Sequence, residues 1–186
     1  TALAEAEVEY HDHTSHQVWV AFPVERSEAS GGDIWANMKA RVVIWTTTPW
    51  TLPANQALNL NPTLSYALVD TVRGLLVLAE ALVDKCLARY GLQGTVLATV
   101  RGTAIGGLNF HHPLAHVHAG YDRLAPVYLA EYATAEDGTG VVHSSPAYGL
   151  DDFNSCVAHG LKVEDILNPV QGDGRYAADF PLFGGL

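Results

Sequence analysis

The chain is broken into short apolar runs, each closed by glycine, proline, asparagine or a hydroxyl residue, and that rhythm permits little besides a β-rich fold. Val42-Val43-Ile44 reads as the centre of a buried strand over Arg41–Thr46. Ala4, Ala6, Val8 and Tyr10 alternate with Glu5, Glu7 and Glu9, the pattern of a strand with one solvated face. Further strands are predicted over 17–22, 58–60, 66–72, 75–79, 95–100, 127–132 and 140–143, with Arg73-Gly74 as a tight turn. The polar, glycine-bearing stretch 25–39 reads as loop. Two helices interrupt the series. Residues 80–90 carry the i,i+4 pairs Leu82/Cys86 and Val83/Leu87 and end at Gly91. Residues 151–159 begin at Asp151-Asp152, either of which is placed to cap, and end at Gly160. Many short strands and few helices predict an α+β fold: a closed or nearly closed β-barrel core of about six strands with peripheral helices. With 186 residues, 48% hydrophobic, one domain over 1–186 has ample material for its core.

Several function classes recede on composition. No apolar run approaches the roughly 18 residues of a membrane span, and no signal peptide opens the chain. Cys86 and Cys156 have no CxxC partner, so a disulfide framework or structural zinc site is not expected and a cytoplasmic setting fits. His11, His13 and His16, and His111, His112, His116 and His118, form two clusters without the acidic or cysteine ligands that would complete a tetrahedral site, so no metal is expected. The formal net charge of −10 argues against broad, non-specific phosphate binding. A nucleic-acid partner would touch this domain over a small area. Met38 is the only methionine and both ends are abrupt, which predicts a fragment of a larger protein; aminopeptidase removal of an initiator Met before Thr1 would give the same start.

The stretch Trp45-Thr46-Thr47-Thr48-Pro49-Trp50-Thr51-Leu52-Pro53-Ala54-Asn55 carries the first chemical signal. Three adjacent hydroxyls stand where the strand must end, and Pro49 forbids its continuation as a central strand. Buried hydroxyls need partners. Here they suit a pocket wall that hydrogen-bonds a sugar or base while tryptophans supply flat apolar surface. An edge strand followed by an ordinary turn accounts for the same residues.

A second signal lies in Asp137-Gly138-Thr139-Gly140-Val141-Val142-His143-Ser144-Ser145-Pro146-Ala147-Tyr148-Gly149-Leu150-Asp151-Asp152-Phe153: a glycine-punctuated turn, a short strand, a loop and a helix start. The glycines let backbone approach something closely. His143 stands at the strand's end and Asp152 at the helix's beginning. Singly, such a histidine is most often a satisfied core or surface residue and such an aspartate a helix cap.

Together the two motifs resemble the editing domain of isoleucyl-tRNA synthetases of the bacterial type, inserted in the Rossmann-type catalytic domain of that family. The resemblance runs from Leu3-Ala4-Glu5-Ala6-Glu7 to Asp179-Phe180-Pro181-Leu182-Phe183-Gly184-Gly185. Valyl and leucyl relatives look like T-T-R-P-[ED]-T where this chain has Thr46-Thr47-Thr48-Pro49-Trp50-Thr51, and they lack the histidine found here at 143. Ser145 departs from the alanine expected in many isoleucyl enzymes, without altering an expected contact. Neither a HIGH-like nor a KMSKS-like signature occurs, so no amino-acid activation is expected within these residues.

The resemblance implies a class I synthetase editing-domain fold that hydrolyses valine misattached to isoleucine tRNA, or valyl-adenylate. An apolar pocket gains only about 1–3 kcal/mol from one methylene, and the isoleucyl enzymes are the standard illustration of that limit and of a second, hydrolytic sieve. Asp152 is implied to hold the substrate's α-ammonium, and His143 to wall the amino-acid pocket against isoleucine. Thr46, Thr47 and Thr48 are implied to bind the terminal adenosine, the ester and the attacking water. Thr51 and Asn55 resemble further positions near the pocket. Trp50 either touches the adenine or valine or packs the turn. No Ser-His-Asp order or Gly-x-Ser-x-Gly elbow is present, so an ordered water is the expected nucleophile. No cofactor is implied. The implied partners are the 3′ end of aminoacylated isoleucine tRNA and the rest of the synthetase chain. A tRNA-end binding module without hydrolysis is the alternative.

Overall fold

A computed structural model describes residues 11–12, 14–25 and 39–186. The strand expected over 4–10, His13 and all but the ends of the loop expected over 25–39 lie outside the described residues.

The described strands form two mixed sheets. One, in the order β1-β2-β5-β4-β6, consists of β1 (Val18–Pro23), β2 (Arg41–Thr46), β4 (Ser65–Thr71), β5 (Gly74–Ala79) and β6 (Gly94–Arg101). The other, in the order β7-β8-β3-β9, consists of β3 (Ala57–Leu60), β7 (Asn109–His111), β8 (Leu124–Leu129) and β9 (Val141–Ser144). Of the expected closed or nearly closed barrel of about six strands, closure is incorrect: nine described strands form two open sheets. The pairing explains why. β2 meets β5 in parallel through only Arg41↔Leu76 and Val42↔Val77, too short a ladder to draw the sheet into a cylinder. Among the described residues β6 has β4 on one side and no sheet partner on the other. Among the described residues an antiparallel bridge, Val24↔Phe110, ties the sheets together beyond β1.

Their shared core explains why the sheets stay together. One buried apolar cluster draws Phe22, Val42, Ile44, Leu68 and Leu78 from the first sheet and Leu58, Leu60, Phe110 and Val127 from the second. Each fully buried aliphatic side chain contributes about 1.5–3 kcal/mol relative to exposure. β3 runs down the centre of the second sheet, paired with β8 in parallel and β9 antiparallel, and all four of its residues are buried. One of them, Asn59, is polar and belongs to the site.

Helix α1 (Val83–Tyr90) follows a 3-10 turn at Glu80–Leu82 rather than starting at residue 80. Leu82, Val83, Cys86 and Leu87 are buried, and Gly91 ends the helix at φ 64°. Helix α2 spans Leu150–Ala158. Gly149, not Asp151 or Asp152, occupies its N-cap without a side-chain hydrogen bond; both aspartates lie in the first turn. β8 starts earlier than its sequence suggests because Pro126 sits at a handover: residues 124–126 pair with β7, residues 127–129 with β3. Among the described residues no helix is long and apolar enough to cross a membrane.

Candidate functional site

The two sequence motifs meet because β2 ends, at Thr46, alongside the cavity that β9 and α2 reach from the other side. This cavity of about 320 Å³ is lined by Thr46, Thr47, Thr48, Thr51, His143 and Asp152, with Trp45, Val142, Ser145 and Tyr148 completing it. Volume alone does not single it out. A larger cleft of about 680 Å³ lies over β1 and β2 against Trp19 and Tyr90, but among the described residues no carboxylate and none of the threonines line it.

The threonine tract turns locally for a physical reason. Thr46 Oγ accepts from Thr48 N–H at 3.0 Å and lies 3.2 Å from Thr48 Oγ, closing a hydroxyl turn at the strand's end. Pro49 then opens a 3-10 helix, Pro49–Ala54, where its missing N–H costs nothing. Side chains from distant segments hold the carbonyls of this turn. Tyr176 donates to Trp50 O, Ser145 Oγ to Thr51 O at 2.8 Å and His112 Nε2 to Leu52 O at 2.9 Å. Arg123 donates to Pro53 O and, at 3.2 Å, to Asn55 O. A guanidinium at the carbonyl end of a helical turn also complements its dipole.

His143 is buried, and burial pulls its pKa down to about 4, so the ring is neutral at physiological pH. Thr51 Oγ gives its one proton to Thr48 O at 2.9 Å and lies 3.0 Å from His143 Nε2. Asn55 Nδ2 donates to Nδ1 at 3.3 Å and to Ala57 O at 2.9 Å. These partners assign the neutral ring a proton on Nε2 and a lone pair on Nδ1. Thr51 and Asn55 thus hold the imidazole from both sides, and Asn55 stands behind the cavity wall rather than in it.

Asp152 is held by the chain that precedes its helix. Ser145 N–H donates to Oδ2 at 2.9 Å and Ser144 Oγ to Oδ1 at 3.2 Å. Burial raises its pKa above the ordinary carboxylate value; those two donors and the Tyr132 phenol oppose the rise, while Asp151 adds to it. Its position in the first turn of α2 further favours the anion. Among the described residues Asp152 is the only acid lining the cavity, and no lysine or arginine lines it. The lining is therefore polarised for a compact cation.

Trp50 does not line this cavity. It is 46% exposed, packs edge-on against Tyr148 with centroids 5.1 Å apart, and faces a separate, mostly apolar cleft with Leu52, His112 and Phe183. Sequence reasoning gave no role to Tyr148, Val142 or the Ser144–Asn59 contact beneath Asp152. The Ser145 hydroxyl, expected to alter no contact, anchors the 3-10 turn through Thr51 O. The glycines of the second motif do serve a close approach, but to other parts of the chain. A Cβ on Gly138 would stand 2.8 Å from the Trp45 ring, and one on Gly140 would stand 2.3 Å from Ala79 Cβ. Both glycines have positive φ, 73° and 76°. Three histidines of the second cluster are engaged separately: His111 pairs with Glu25, His112 bonds backbone, and His118 Nδ1 accepts from Gly120 N–H. Among the described residues no group of three His, Cys, Asp or Glu side chains is disposed to hold a metal ion.

No family model matches the chain. The isoleucine–tRNA ligases of Burkholderia lata and Paraburkholderia xenovorans are each 56% identical to it over 190 residues, which covers 100% of this chain and 20% of theirs. The isoleucine–tRNA ligase of Burkholderia cenocepacia is 55% identical over the same extent. The chain thus spans about a fifth of the length of these relatives. Among solved structures it is similar to GlLeuRS-CP1, with a TM-score of 0.59 and 17% identity over 83% of this chain and 69% of that one. It is also similar to the P. knowlesi cytosolic leucyl-tRNA synthetase editing domain, with a TM-score of 0.57 and 13% identity over 85% and 71% of the two chains. At such identities the structural likeness is one of fold.

Proposed function

Because the chain belongs to the isoleucine–tRNA ligase family in sequence and has the fold of synthetase editing domains, we propose that it is a hydrolytic proofreading domain acting in the cytoplasm as one unit, 1–186, of a larger synthetase. Its substrate is valine esterified to the terminal adenosine of isoleucine tRNA, or valyl-adenylate. The observation that carries this reading is the composition of the cavity among the described residues: one carboxylate, no cationic side chain, a neutral buried imidazole and a row of hydroxyls.

Each part of a valyl ester has a complement in that set. The α-ammonium binds Asp152, whose two oxygens keep free lone pairs beyond the bonds from Ser144 and Ser145. The branched side chain faces His143, whose immobilised ring leaves no room for the extra methyl of isoleucine; overpacking a rigid wall costs about 1–3 kcal/mol. Because the ring is neutral, it does not repel the ammonium. Thr46, Thr47 and Thr48 offer hydroxyls and backbone groups to the ribose and to a water. That water's oxygen attacks the ester carbonyl carbon. The bond from this carbon to the ribose oxygen breaks, a proton passes to the leaving oxygen, and valine and a free tRNA 3′ end result. Asp152 acts by positioning, since a carboxylate engaged with an ammonium is a poor base. The chain's net negative charge fits contact with the tRNA end alone, the remaining contacts coming from the rest of the synthetase.

Deacylation of valyl- and isoleucyl-charged isoleucine tRNA by the full-length protein tests the proposal. Valine is expected to be released at least about tenfold faster. Equal rates would refute the selective pocket. Binding without turnover would identify a tRNA-end binding module, and an acyl-enzyme trapped on a threonine or serine would refute direct attack by water.

A further inference from the structure

The side chains beneath Asp152 form a buried, ordered chain. Asn59, fully buried on β3, donates from Nδ2 to Ser144 Oγ. Ser144 passes its one proton to Asp152 Oδ1. Ser155 Oγ, one turn along α2, donates to Asn59 Oδ1 at 2.7 Å. Asn59 and Ser144 meet because β3 and β9 are antiparallel with Asn59 opposite Val142, so Ser144 is the diagonal neighbour on the same face. Every donor in the series has one acceptor, and all point toward the carboxylate.

The direction is not arbitrary. With the Asn59 amide reversed, Ser144 would give its proton to the amide oxygen, and its lone pairs would face Oδ1 of the anion. The anion selects the other orientation: Asp152 takes the Ser144 proton, Ser144 Oγ then accepts from Asn59 Nδ2, and the Asn59 oxygen is left to accept from Ser155. Among the described residues the other ionisable groups around Asp152 offer it no positive charge: Asp151 precedes it on α2, Cys156 follows one turn on, His143 on β9 is neutral, and Tyr132 beyond β8 brings a phenol. The buried Tyr132 hydroxyl makes no hydrogen bond of full geometry among the described residues, yet it lies near enough to Asp152, Ser144 and Ser155 to favour the anion.

We infer that Ser144, Asn59 and Ser155 are positioning residues that orient the Asp152 carboxylate and keep it ionised for the substrate's ammonium. The inference rests on the reading of Asp152 given above. It assigns a graded effect: loss of the Ser144 hydroxyl removes one of two donors to the anion, whereas loss of the Ser155 hydroxyl only releases the amide that directs Ser144.

The test is the pH profile of valyl-tRNA hydrolysis by the full-length protein, wild type, Ser144→Ala and Ser155→Ala, with kcat and KM separated between pH 5 and 9. Ser144→Ala is expected to lower kcat/KM about tenfold at pH 6 and less than about threefold at pH 8.5, because the acid limb moves upward. Ser155→Ala, which suits a helix, is expected to move it the same way with a loss of about twofold at pH 6. A uniform loss across pH, or superimposable profiles, would overturn the assignment. Crystal structures of wild type and Ser144→Ala separate this from the functional reading. If wild type does not hydrolyse the ester, the functional reading fails, and the positioning claim stands or falls on whether the Asp152 carboxylate turns away from Ser145 N–H when Ser144 is lost.

Discussion

Thr51 Oγ lies 3.0 Å from His143 Nε2, across 92 residues of sequence. Because the hydroxyl's proton is committed to Thr48 O, the histidine must be the donor. One contact therefore fixes the tautomer of the wall residue and joins the two motifs. Thr51→Val keeps the volume but leaves a buried N–H without its acceptor. It is expected to cost about 1–3 kcal/mol of stability and to reduce discrimination between valyl and isoleucyl esters. Urea unfolding and paired deacylation rates measure the two effects; full stability with unchanged discrimination would show that the contact does not hold the ring.

His143→Ala removes the wall itself. Isoleucyl-tRNA hydrolysis is expected to rise about tenfold or more, the rate equivalent of relieving about 1–3 kcal/mol of overlap. Unchanged selectivity in a folded variant means the branched side chain is measured elsewhere.

Asp152→Asn preserves shape and an acceptor for Ser145 N–H but removes the only acid among the described residues that line the cavity. Hydrolysis of valyl-tRNA is expected to fall about a hundredfold or more, since a charge-assisted contact and the orientation it gives are lost together. The loss should be small for a substrate analogue lacking the α-amino group. An equal loss on that analogue would assign Asp152 to the reacting ester instead.

Stability is expected to fall in mild acid. His143 and His112 both have folded-state pKa values lowered from 6.5 to about 4, chiefly by burial. The unfolded chain therefore takes up protons first as pH drops. Stability from each ring is intact above pH 6.5 and declines by about 1.4 kcal/mol per pH unit between 6.5 and 4. Melting temperatures at pH 7.5, 6 and 5 measure the slope, and His112→Asn should reduce it. A flat profile would mean that the rings are hydrated.

Local features of the fold were legible in the sequence and pairings were not. Strand 41–46 has the same bounds in sequence and structure because an apolar run meets a hydroxyl stop. Gly91 marks the end of α1 because its left-handed backbone is easiest for glycine. Short strands by themselves do not say which edges meet, so the barrel expectation failed where β2 touches β5 over two residues. The three-residue β7 is too brief to show a period. The threonines, His143 and Asp152 do surround one cavity, but the function of Asn55 as a strut behind the ring could not be read without the fold. Nor could the contacts of Asn59, which reach 85 and 96 residues along the chain. A buried asparagine within the apolar run Ala57–Leu60 was the one available sign.

The 3-10 turn is held by donors from residues 112, 123, 145 and 176. Its shape therefore belongs to the finished tertiary structure. A nascent chain that has produced the threonine tract still lacks all four of these anchors. The pocket is accordingly a late product of folding, and a protein clipped before Tyr176 would retain both motifs while losing one restraint on the backbone between them.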